Sequence, residues 1–370
     1  MKVSKNLKKH IPKESVFKEH RFNPAILDVQ EQKVIEFDRR VIERKEPEQA
    51  SIFEHPPPPI SPITKPPRIR EGGRPERALS TPRPPPLKLS RAGQWQQILE
   101  QMQLKKNASS ILPVGDEKVT VYCGYEPNKN YIAKEYFEAI SRLAINEQSE
   151  IFVTIDSHPA PVRWSKEGVT KDGQAKRRQR VLEIENIARE RALANGSDYL
   201  MIIECDLLPP PDAYRRLRTL IKTGADISFL PYTWHWINPQ TGPSNRYAPV
   251  LAWTGKYPNM IPQTLKNFLS QPYPAKVTTC GFGCSMFSRK VFEKPFELDP
   301  YSIWCTDGCF AKRVEEETLL VLGDNRVFAQ HICCKKCARR FHQGEPHKPV
   351  KIKELLDELF KNRNLMVKEI

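Results

Sequence analysis

The chain has 370 residues, with 59 Lys and Arg against 44 Asp and Glu, so its formal net charge is +15. This length allows two domains, or one large domain with an appendage. No run approaches the roughly 18 to 20 uncharged apolar residues of a membrane-spanning helix, and no apolar block follows the basic start as in a secretory signal. We therefore expect a cytoplasmic protein without a membrane segment, whose nine cysteines are reduced.

Residues 1–90 are predicted to form an extended, Pro-rich basic arm or linker. Of the 34 prolines, 12 lie between Pro56 and Pro86, which excludes a helix or a central strand there. Two interpretations stay open. The composition of the arm favours a disordered extension. Its Phe17 and Phe53 have nothing obvious to pack on, which favours an arm that docks on a protein partner.

The next predicted element, at residues 91–116, is an amphipathic helix with a connector. From residue 117 onward, strands and helices alternate. The predicted strands are 118–123, 150–155, 199–203 and 227–230, and the predicted helices are 131–145, 174–194 and 212–223. Such an alternation predicts an α/β fold with a mostly parallel sheet sandwiched by helices over residues 117–348. Residues 349–370 are predicted to form a C-terminal helix.

The most informative local pattern is Glu204-Cys205-Asp206, which follows the third predicted strand. Acidic residues at the carboxyl end of a parallel strand lie at the mouth of the sheet, where ligands bind. Two carboxylates there repel each other unless a cation joins them, and Mn²⁺ or Mg²⁺ bridging to a diphosphate fits this arrangement. The alternatives are that Asp206 only caps the next helix and that Glu204 is paired with Arg189 or Arg191.

Several segments, in this order, resemble the GT-A glycosyltransferases of the family-2 type, which use nucleotide sugars. Residues 187–200 resemble the helix and turn before the family's acidic motif, and residues 204–206 stand where the family has Asp-x-Asp, with Glu as a departure at the first position. Residues 281–292 resemble its glycine turn and strand, residues 304–310 its later acidic helix start, and residues 324–332 its late His-bearing strand. The resemblance covers about residues 117–332.

The resemblance implies a role for each matching residue. Asp206, Glu204 and His331 would hold the divalent metal, and Asp307 would be the general base of an inverting transfer. The implied donor contacts are Tyr125, Asp156, Arg189, Gly281 and Gly283, and the aromatic residues proposed for the acceptor are Trp234 and Trp236.

Several of these residues also have ordinary structural interpretations. The pair Asp307-Gly308 is also typical of a helix start or turn. His331 lies in a β run, where a histidine is also typical as a buried core residue with satisfied hydrogen bonds. Tyr125 is equally a surface loop aromatic, and the tryptophans are equally core residues.

A separate cysteine cluster lies near the end of the chain. Cys334 and Cys337 form a C-x-x-C motif, preceded by Cys333 and followed by His342, which is a ligand set for structural zinc. Buried, redox-idle cysteines are the alternative. If zinc binds, His331 is another candidate ligand for it.

The sequence therefore favours a metal-dependent glycosyltransferase that moves a sugar from a nucleoside diphosphate sugar to an acceptor hydroxyl. Its positive charge is compatible with a nucleic acid, an acidic polymer or a nucleotide lipid as acceptor. The arm and the absence of a membrane segment make a macromolecular acceptor, nucleic acid included, the preferred hypothesis. One rival is a non-catalytic assembly or nucleic-acid-binding protein that reuses a GT-A-like domain and docks through its arm. A second rival, a nucleotidyltransferase, would bring a Gly-rich phosphate loop after the first strand, and Cys123-Gly124-Tyr125-Glu126 is not one.

Overall fold

The computed structural model describes residues 96, 97, 100, 110–158, 170–235, 249–300, 302, 305–345 and 349–370. The arm at residues 1–90 and Trp236 lie outside the described residues, as does most of the helix predicted at residues 91–116. Within the described part of the chain, no helix is both long enough and apolar enough to cross a membrane.

Thirteen strands and eight α-helices are present from residue 110 onward in the described part of the chain, and residues 96, 97 and 100 are also helical. The strands are β1 (Val119–Tyr125), β2 (Glu150–Ile155), β3 (Tyr199–Ile203), β4 (Leu207–Leu208), β5 (Ile227–Phe229), β6 (Pro249–Thr254), β7 (Ile261–Thr264), β8 (Ala275–Val277), β9 (Thr279–Cys280), β10 (Cys284–Ser288), β11 (Val321–Gly323), β12 (Gln330–His331) and β13 (Asn364–Glu369). The helices are α1 (Ala133–Ser141), α2 (Lys171–Ala194), α3 (Ala213–Lys222), α4 (Leu265–Ser270), α5 (Arg289–Phe292), α6 (Thr306–Glu316), α7 (Lys335–Phe341) and α8 (Ile352–Phe360).

The main sheet has eight strands in the order β13-β2-β1-β3-β10-β5-β11-β8. Neighbouring pairs from β13 to β3 are parallel, as is the pair of β5 with β11, whereas β10 and β8 are antiparallel to their neighbours. Six of the eight strands therefore run in one direction, and the predicted mostly parallel sheet is confirmed. Two small antiparallel sheets, β12-β4 and β7-β6-β9, lie beside it.

Both faces of the main sheet are covered, because alternate side chains of each central strand enter different cores. On β3, Leu200 and Ile202 belong to one core with the α2 residues Ala188 and Ala192. Met201 belongs to the other core, which also contains side chains of α1, α3 and α8. Alternation along a strand places successive side chains on opposite faces, so the predicted sandwich of helices around the sheet is confirmed.

The C-terminal segment differs from the prediction of a single helix over residues 349–370. Helix α8 ends at Phe360, and β13 then pairs in parallel with β2 along its whole length. Without β13, the backbone groups on that side of β2 would form an open sheet edge. The end of the chain therefore belongs to the main sheet, because long-range pairing there outweighs the local pattern.

Candidate active site

The main sheet has a switch point between β1 and β3, since β2 lies on one side of β1 and β3 lies on the other. A switch point of this kind leaves a crevice outside the carboxyl ends of the strands, where ligands bind in open α/β sheets. The carboxyl end of β1 leads into a 3-10 helix at Pro127–Ile132. The carboxyl end of β3 leads into residues 204–206. These two segments form the crevice.

Asp206 and His331 meet in the crevice. Asp206 is buried and directly precedes β4, which pairs with β12 so that Leu207 lies opposite His331. This pairing places Nε2 of His331 3.3 Å from Oδ1 of Asp206. Two residues predicted as metal ligands are thus neighbours in space, although they are far apart in the sequence.

The orientation of the His331 ring is set by a backbone carbonyl. Nδ1 lies 2.6 Å from the Thr233 oxygen, and since a carbonyl only accepts, Nδ1 carries the hydrogen. Burial lowers the pKa of His331, but the neighbouring Asp206 charge outweighs burial, so the pKa is raised above its ordinary value. In the neutral ring, Nε2 presents a lone pair beside Asp206, as a metal-binding histidine does.

Lys129, in the 3-10 helix after β1, is a residue that the sequence analysis missed. Its Nζ forms an ion pair with Oδ2 of Asp206 and donates a hydrogen bond to the Cys333 carbonyl at 3.2 Å. Burial would raise the pKa of Asp206, but the charges of His331 and Lys129 outweigh it and hold the pKa well below its usual range. The sequence signal for Lys129 was its position just after the first strand, since ligands bind at the carboxyl ends of parallel strands.

Glu204 and Asp307 supply further acidic groups to the crevice. Glu204 is exposed at the mouth of the crevice, and partial desolvation of its carboxyl by the surrounding protein, together with the charge of Asp206, raises its pKa to about 7. Asp307 is half-buried in the first turn of α6, and its charge also raises the pKa of Glu204. The candidate base therefore lies within electrostatic range of the acidic motif.

Glu185 on α2 is a second residue that the sequence analysis missed. Its side chain is 7% exposed, and among the described residues its Oε2 has no hydrogen-bond partner. Burial, followed by the charge of Asp307, raises the pKa of Glu185 well above its ordinary value. The available signal was helical spacing, since Glu185 shares the buried face of α2 with Ala188 and Ala192.

Gly281 and Gly283 pack against Tyr232. A Cβ at Gly283 would lie 2.6 Å from the Tyr232 hydroxyl and 2.7 Å from Oε2 of Glu204, and a Cβ at Gly281 would also collide with that hydroxyl. Gly283 N donates to the Tyr232 hydroxyl at 3.1 Å and its carbonyl accepts from Glu204 N at 2.8 Å. The glycines therefore permit close packing that sets the backbone of the acidic motif.

Of the other predicted donor contacts, Tyr125 and Asp156 lie together at the carboxyl ends of β1 and β2, where Asp156 N donates to the Tyr125 carbonyl at 2.9 Å. Tyr125 is the last residue of β1 and is buried against Phe137, so neither a surface aromatic nor a free stacking ring describes it. Asp156 follows β2 and accepts two hydrogen bonds from Arg180, at 2.7 and 3.0 Å. Arg189 donates to the Glu293 carbonyl.

The alternative pairing of Glu204 with Arg189 or Arg191 is not observed. The Arg189 guanidinium is directed to the Glu293 carbonyl, and Arg191 pairs with Glu150 at the start of β2. Glu204 therefore keeps its exposed side chain in the crevice.

The candidate acceptor and zinc residues follow β5 and β12. Trp234 is 38% exposed. Cys333, Cys334 and Cys337 lie together, but the histidine that joins them is His235, and these four residues have ligand atoms within 4.8 Å of one another. The structure does not bring His342 into this group.

The predicted fourth ligand is directed elsewhere because of its place on α7. His342 follows the last turn of that helix, and its Nδ1 lies 3.6 Å from Glu135 of α1. His331 is also outside the cysteine group, since it faces Asp206.

The crevice residues fit a divalent cation in the chemistry of their donors. Ligand bonds to such ions are roughly 2.0 to 2.2 Å, so an oxygen and a nitrogen 3.3 Å apart, as in Asp206 and His331, can reach the same ion. Carboxylate oxygens suit Mn²⁺ and Mg²⁺, whereas the imidazole favours Mn²⁺ over Mg²⁺. Lys129 is a competing cation at the other Asp206 oxygen.

No protein-family model and no curated protein sequence matches the chain. Solved structures with similarity include residues 1–349 of S. aureus TarS, at 9% identity and TM-score 0.34 over 66% of this chain and 70% of that one. The mannosyltransferase PcManGT from Pyrobaculum calidifontis in complex with GDP-Man and Mn²⁺ has 11% identity and TM-score 0.36 over 68% of this chain and 70% of that one. A197 from STIV has 12% identity and TM-score 0.31 over 59% of this chain and 86% of that one.

Proposed function

We propose that the chain is a metal-dependent glycosyltransferase, which moves a sugar from a nucleoside diphosphate sugar to an acceptor hydroxyl. The observation that carries the proposal is the set of acids and His331 at the switch point of the sheet. Asp206 with His331 3.3 Å away, and Asp307 within electrostatic range of Glu204, supply both a cation site and a base to one crevice.

In this proposal Asp206, Glu204 and His331 hold Mn²⁺ or Mg²⁺. A bound divalent ion supplies positive charge to the diphosphate leaving group. Thr233 keeps the His331 ring oriented through its carbonyl, and Glu204, whose side chain is exposed, would add a further carboxylate ligand. Lys129 adds a second positive charge beside Asp206 for the diphosphate oxygens.

Asp307 is proposed to remove the proton from the acceptor hydroxyl as it attacks the anomeric carbon, which gives inversion. Gly308 N donates to Oδ1 of Asp307 at 2.8 Å and orients the carboxyl in the first turn of α6. The raised pKa of Glu185 favours its neutral form, which adds no second negative charge beside Asp307.

The acceptor is proposed to be an anionic macromolecule, nucleic acid included. Helix α7 follows Cys333 and Cys334 and carries four exposed cationic side chains, Lys335, Lys336, Arg339 and Arg340. Such a row attracts phosphate. The exposed ring of Trp234 offers a flat apolar face for a sugar or a base. A reducing compartment such as the cytosol suits nine cysteines that form no disulfide.

One observation favours the rival, a non-catalytic domain that binds no metal. Lys129 already neutralises Asp206, in the place where a metal would act. If this ion pair is permanent, the crevice carries no cation and the chain acts as an assembly or nucleic-acid-binding protein.

A thermal-shift screen distinguishes the two functions. UDP-, GDP-, CMP- and dTDP-sugars are each added with and without Mn²⁺ to the wild type and to Asp206→Asn and Lys129→Ala. A donor at about 100 times its Kd adds about 2.7 kcal/mol of stability. The enzyme predicts a Mn²⁺-dependent rise in Tm for one donor, which Asp206→Asn abolishes. A matched control is Asp172→Asn, an exposed acid on α2.

The rival predicts no response to any donor in the wild type or in Lys129→Ala. A response that does not require Mn²⁺ and survives Asp206→Asn would remove the metal from the proposal. Release of nucleoside diphosphate from the stabilising donor then tests the transfer itself.

A further inference from the structure

The cluster of His235, Cys333, Cys334 and Cys337 is not used by the proposed reaction. Its ligand atoms lie within 4.8 Å of one another. Within it, Nδ1 of His235 is 3.1 Å from the Cys333 sulfur, and the Cys333 and Cys337 sulfurs are 3.6 Å apart. The cluster joins two segments that are 98 residues apart in the chain.

These separations suit a tetrahedral zinc ion. With bonds of about 2.3 Å to sulfur and about 2.0 Å to nitrogen, tetrahedral angles require roughly 3.5 to 3.8 Å between ligand atoms. The observed 3.1 and 3.6 Å lie within a few tenths of an ångström of that range. Three thiolates and one imidazole are a usual ligand set for structural zinc.

Other uses of the cysteines fit less well. A sulfur–sulfur separation of 3.6 Å is too long for a disulfide, whose bond is about 2.05 Å, and none of the nine cysteines forms a disulfide. A redox C-x-x-C pair needs only Cys334 and Cys337, and it leaves the convergence of Cys333 and His235 without an explanation. Soft thiolate ligands also discriminate against Mn²⁺ and Mg²⁺.

Nearby lysines balance the negative charge of such a zinc site, and the small local core would gain stability from the ion. Zinc with three thiolates has a net charge of −1, and the exposed Lys335 and Lys336 follow Cys334 directly. The local core is small. Its buried members are Ile132, Ile332, Cys337 and Ala338, and small cores commonly depend on a metal or a disulfide for stability.

The same two segments position the crevice. Thr233 accepts from His331 through its carbonyl, and its own hydroxyl donates to the His235 carbonyl at 2.6 Å. The Cys333 carbonyl accepts from Lys129 at 3.2 Å. An ion bound to His235 and Cys333 therefore holds the backbone that orients His331 and Lys129 towards Asp206.

We propose that His235, Cys333, Cys334 and Cys337 bind one zinc ion, which ties the segment after β5 to the segment after β12 beside the crevice. The ion is structural, since four protein ligands leave it no open position for a substrate. Its existence does not depend on the glycosyltransferase proposal.

The test measures metal content in the full chain, purified in reducing buffer without chelator. The wild type is expected to carry one zinc per chain by mass spectrometry. Replacement by Co²⁺ is expected to give the thiolate-to-cobalt charge-transfer absorption of three sulfur ligands. His235→Ala is expected to weaken zinc binding by at least about 100-fold. The matched control, His342→Ala, is expected to retain zinc.

The proposal is wrong if the wild type carries no zinc and its reduced apo form binds none on titration. It is also wrong if His235→Ala binds zinc with unchanged affinity, or if His342→Ala loses zinc while His235→Ala keeps it. Cys334→Ser removes one proposed ligand, and if this variant does not fold, the effect of zinc on the Tm of the wild type still tests the site. Zinc removal by a chelator should lower its Tm, and zinc addition should restore it. Because neither readout uses a sugar donor, failure here and failure of the proposed reaction are distinguishable.

Discussion

Asp206 and Glu185 of the crevice are about as buried as several acids elsewhere in the fold, but their partners differ. Glu150 is 1% exposed and receives two hydrogen bonds from Arg191. Asp324 is fully buried, and Arg216 and Arg326 donate to both of its oxygens. Guanidinium groups donate to both oxygens of each of these carboxylates, so neither oxygen is available to a ligand.

In the crevice, by contrast, acids face other acids. Asp206 and Asp307 raise the pKa of Glu204, and Glu185 is buried with an unpartnered oxygen among the described residues. Such mutual repulsion costs stability and is typical of functional sites, where charge is kept available for a ligand or a proton. The contrast distinguishes acids that stabilise the fold from acids that are available to bind a ligand or to transfer a proton.

The largest expected effect is on activity and comes from Asp206→Asn. The substitution keeps the size of the side chain but removes the charge that attracts Lys129, His331 and a cation. Donor turnover should fall on the order of 10³-fold, as when a main electrostatic contact to developing charge is lost. Nucleoside diphosphate release measures it, with Asp172→Asn as control. Unchanged turnover would place Asp206 among the structural acids.

The second prediction concerns Asp324→Asn and affects stability. Removing the charge leaves the buried guanidinium groups of Arg216 and Arg326 without a full partner. We expect the free energy of unfolding to fall by about 3 to 5 kcal/mol, measured by denaturant titration. Donor affinity of the folded protein should be unchanged. A loss of stability below about 1 kcal/mol would contradict the structural role.

The third prediction concerns Glu185→Gln and has a pH signature. Since the folded-state pKa of Glu185 is raised, the unfolded chain alone ionises as the pH rises above about 4.5. Wild-type stability therefore declines by about 1.4 kcal/mol per pH unit until the folded-state pKa is reached. The glutamine variant lacks this decline, so it should equal the wild type near pH 4 and exceed it at pH 7.

Denaturant titrations of both proteins at pH 4, 5.5 and 7 measure the difference. A stability difference that is constant with pH would show that Glu185 is ionised in the folded protein. It would then resemble Glu150 more than the crevice acids.

The smallest effect is expected for Glu117→Gln, outside the crevice. Hydrogen bonds from Arg218 lower the pKa of Glu117 to about 2. A lowered folded-state pKa stabilises the fold above about pH 4.5, and this stabilisation is lost as the pH falls towards 2. The variant should be less stable by about 1 kcal/mol at pH 7, and the difference should disappear near pH 2. Equal stability at pH 7 would contradict the pairing.

The regular part of the fold could be predicted from the sequence because its signals are local. The strand over Tyr199–Ile203 is a continuous apolar run, and β2 has the predicted bounds Glu150–Ile155. Helix α2 ends at Ala194, before Asn195-Gly196, as its stop signal predicts. The position of Asp206 beyond β3 follows from these elements, since a parallel strand presents its carboxyl end to the crevice.

The partners of these residues depend on contacts that no local pattern contains. His331 reaches Asp206 only because β12 pairs with β4, and His235 replaces His342 beside the cysteines because the segment after β5 runs past Cys333. The closing strand β13 likewise depends on the edge of β2. The sequence by itself determined the parallel α/β framework and the acidic motif, because periodicity and strand ends are short-range properties. Only the tertiary structure decided which charges and thiols meet, because strand pairing between distant segments sets those distances.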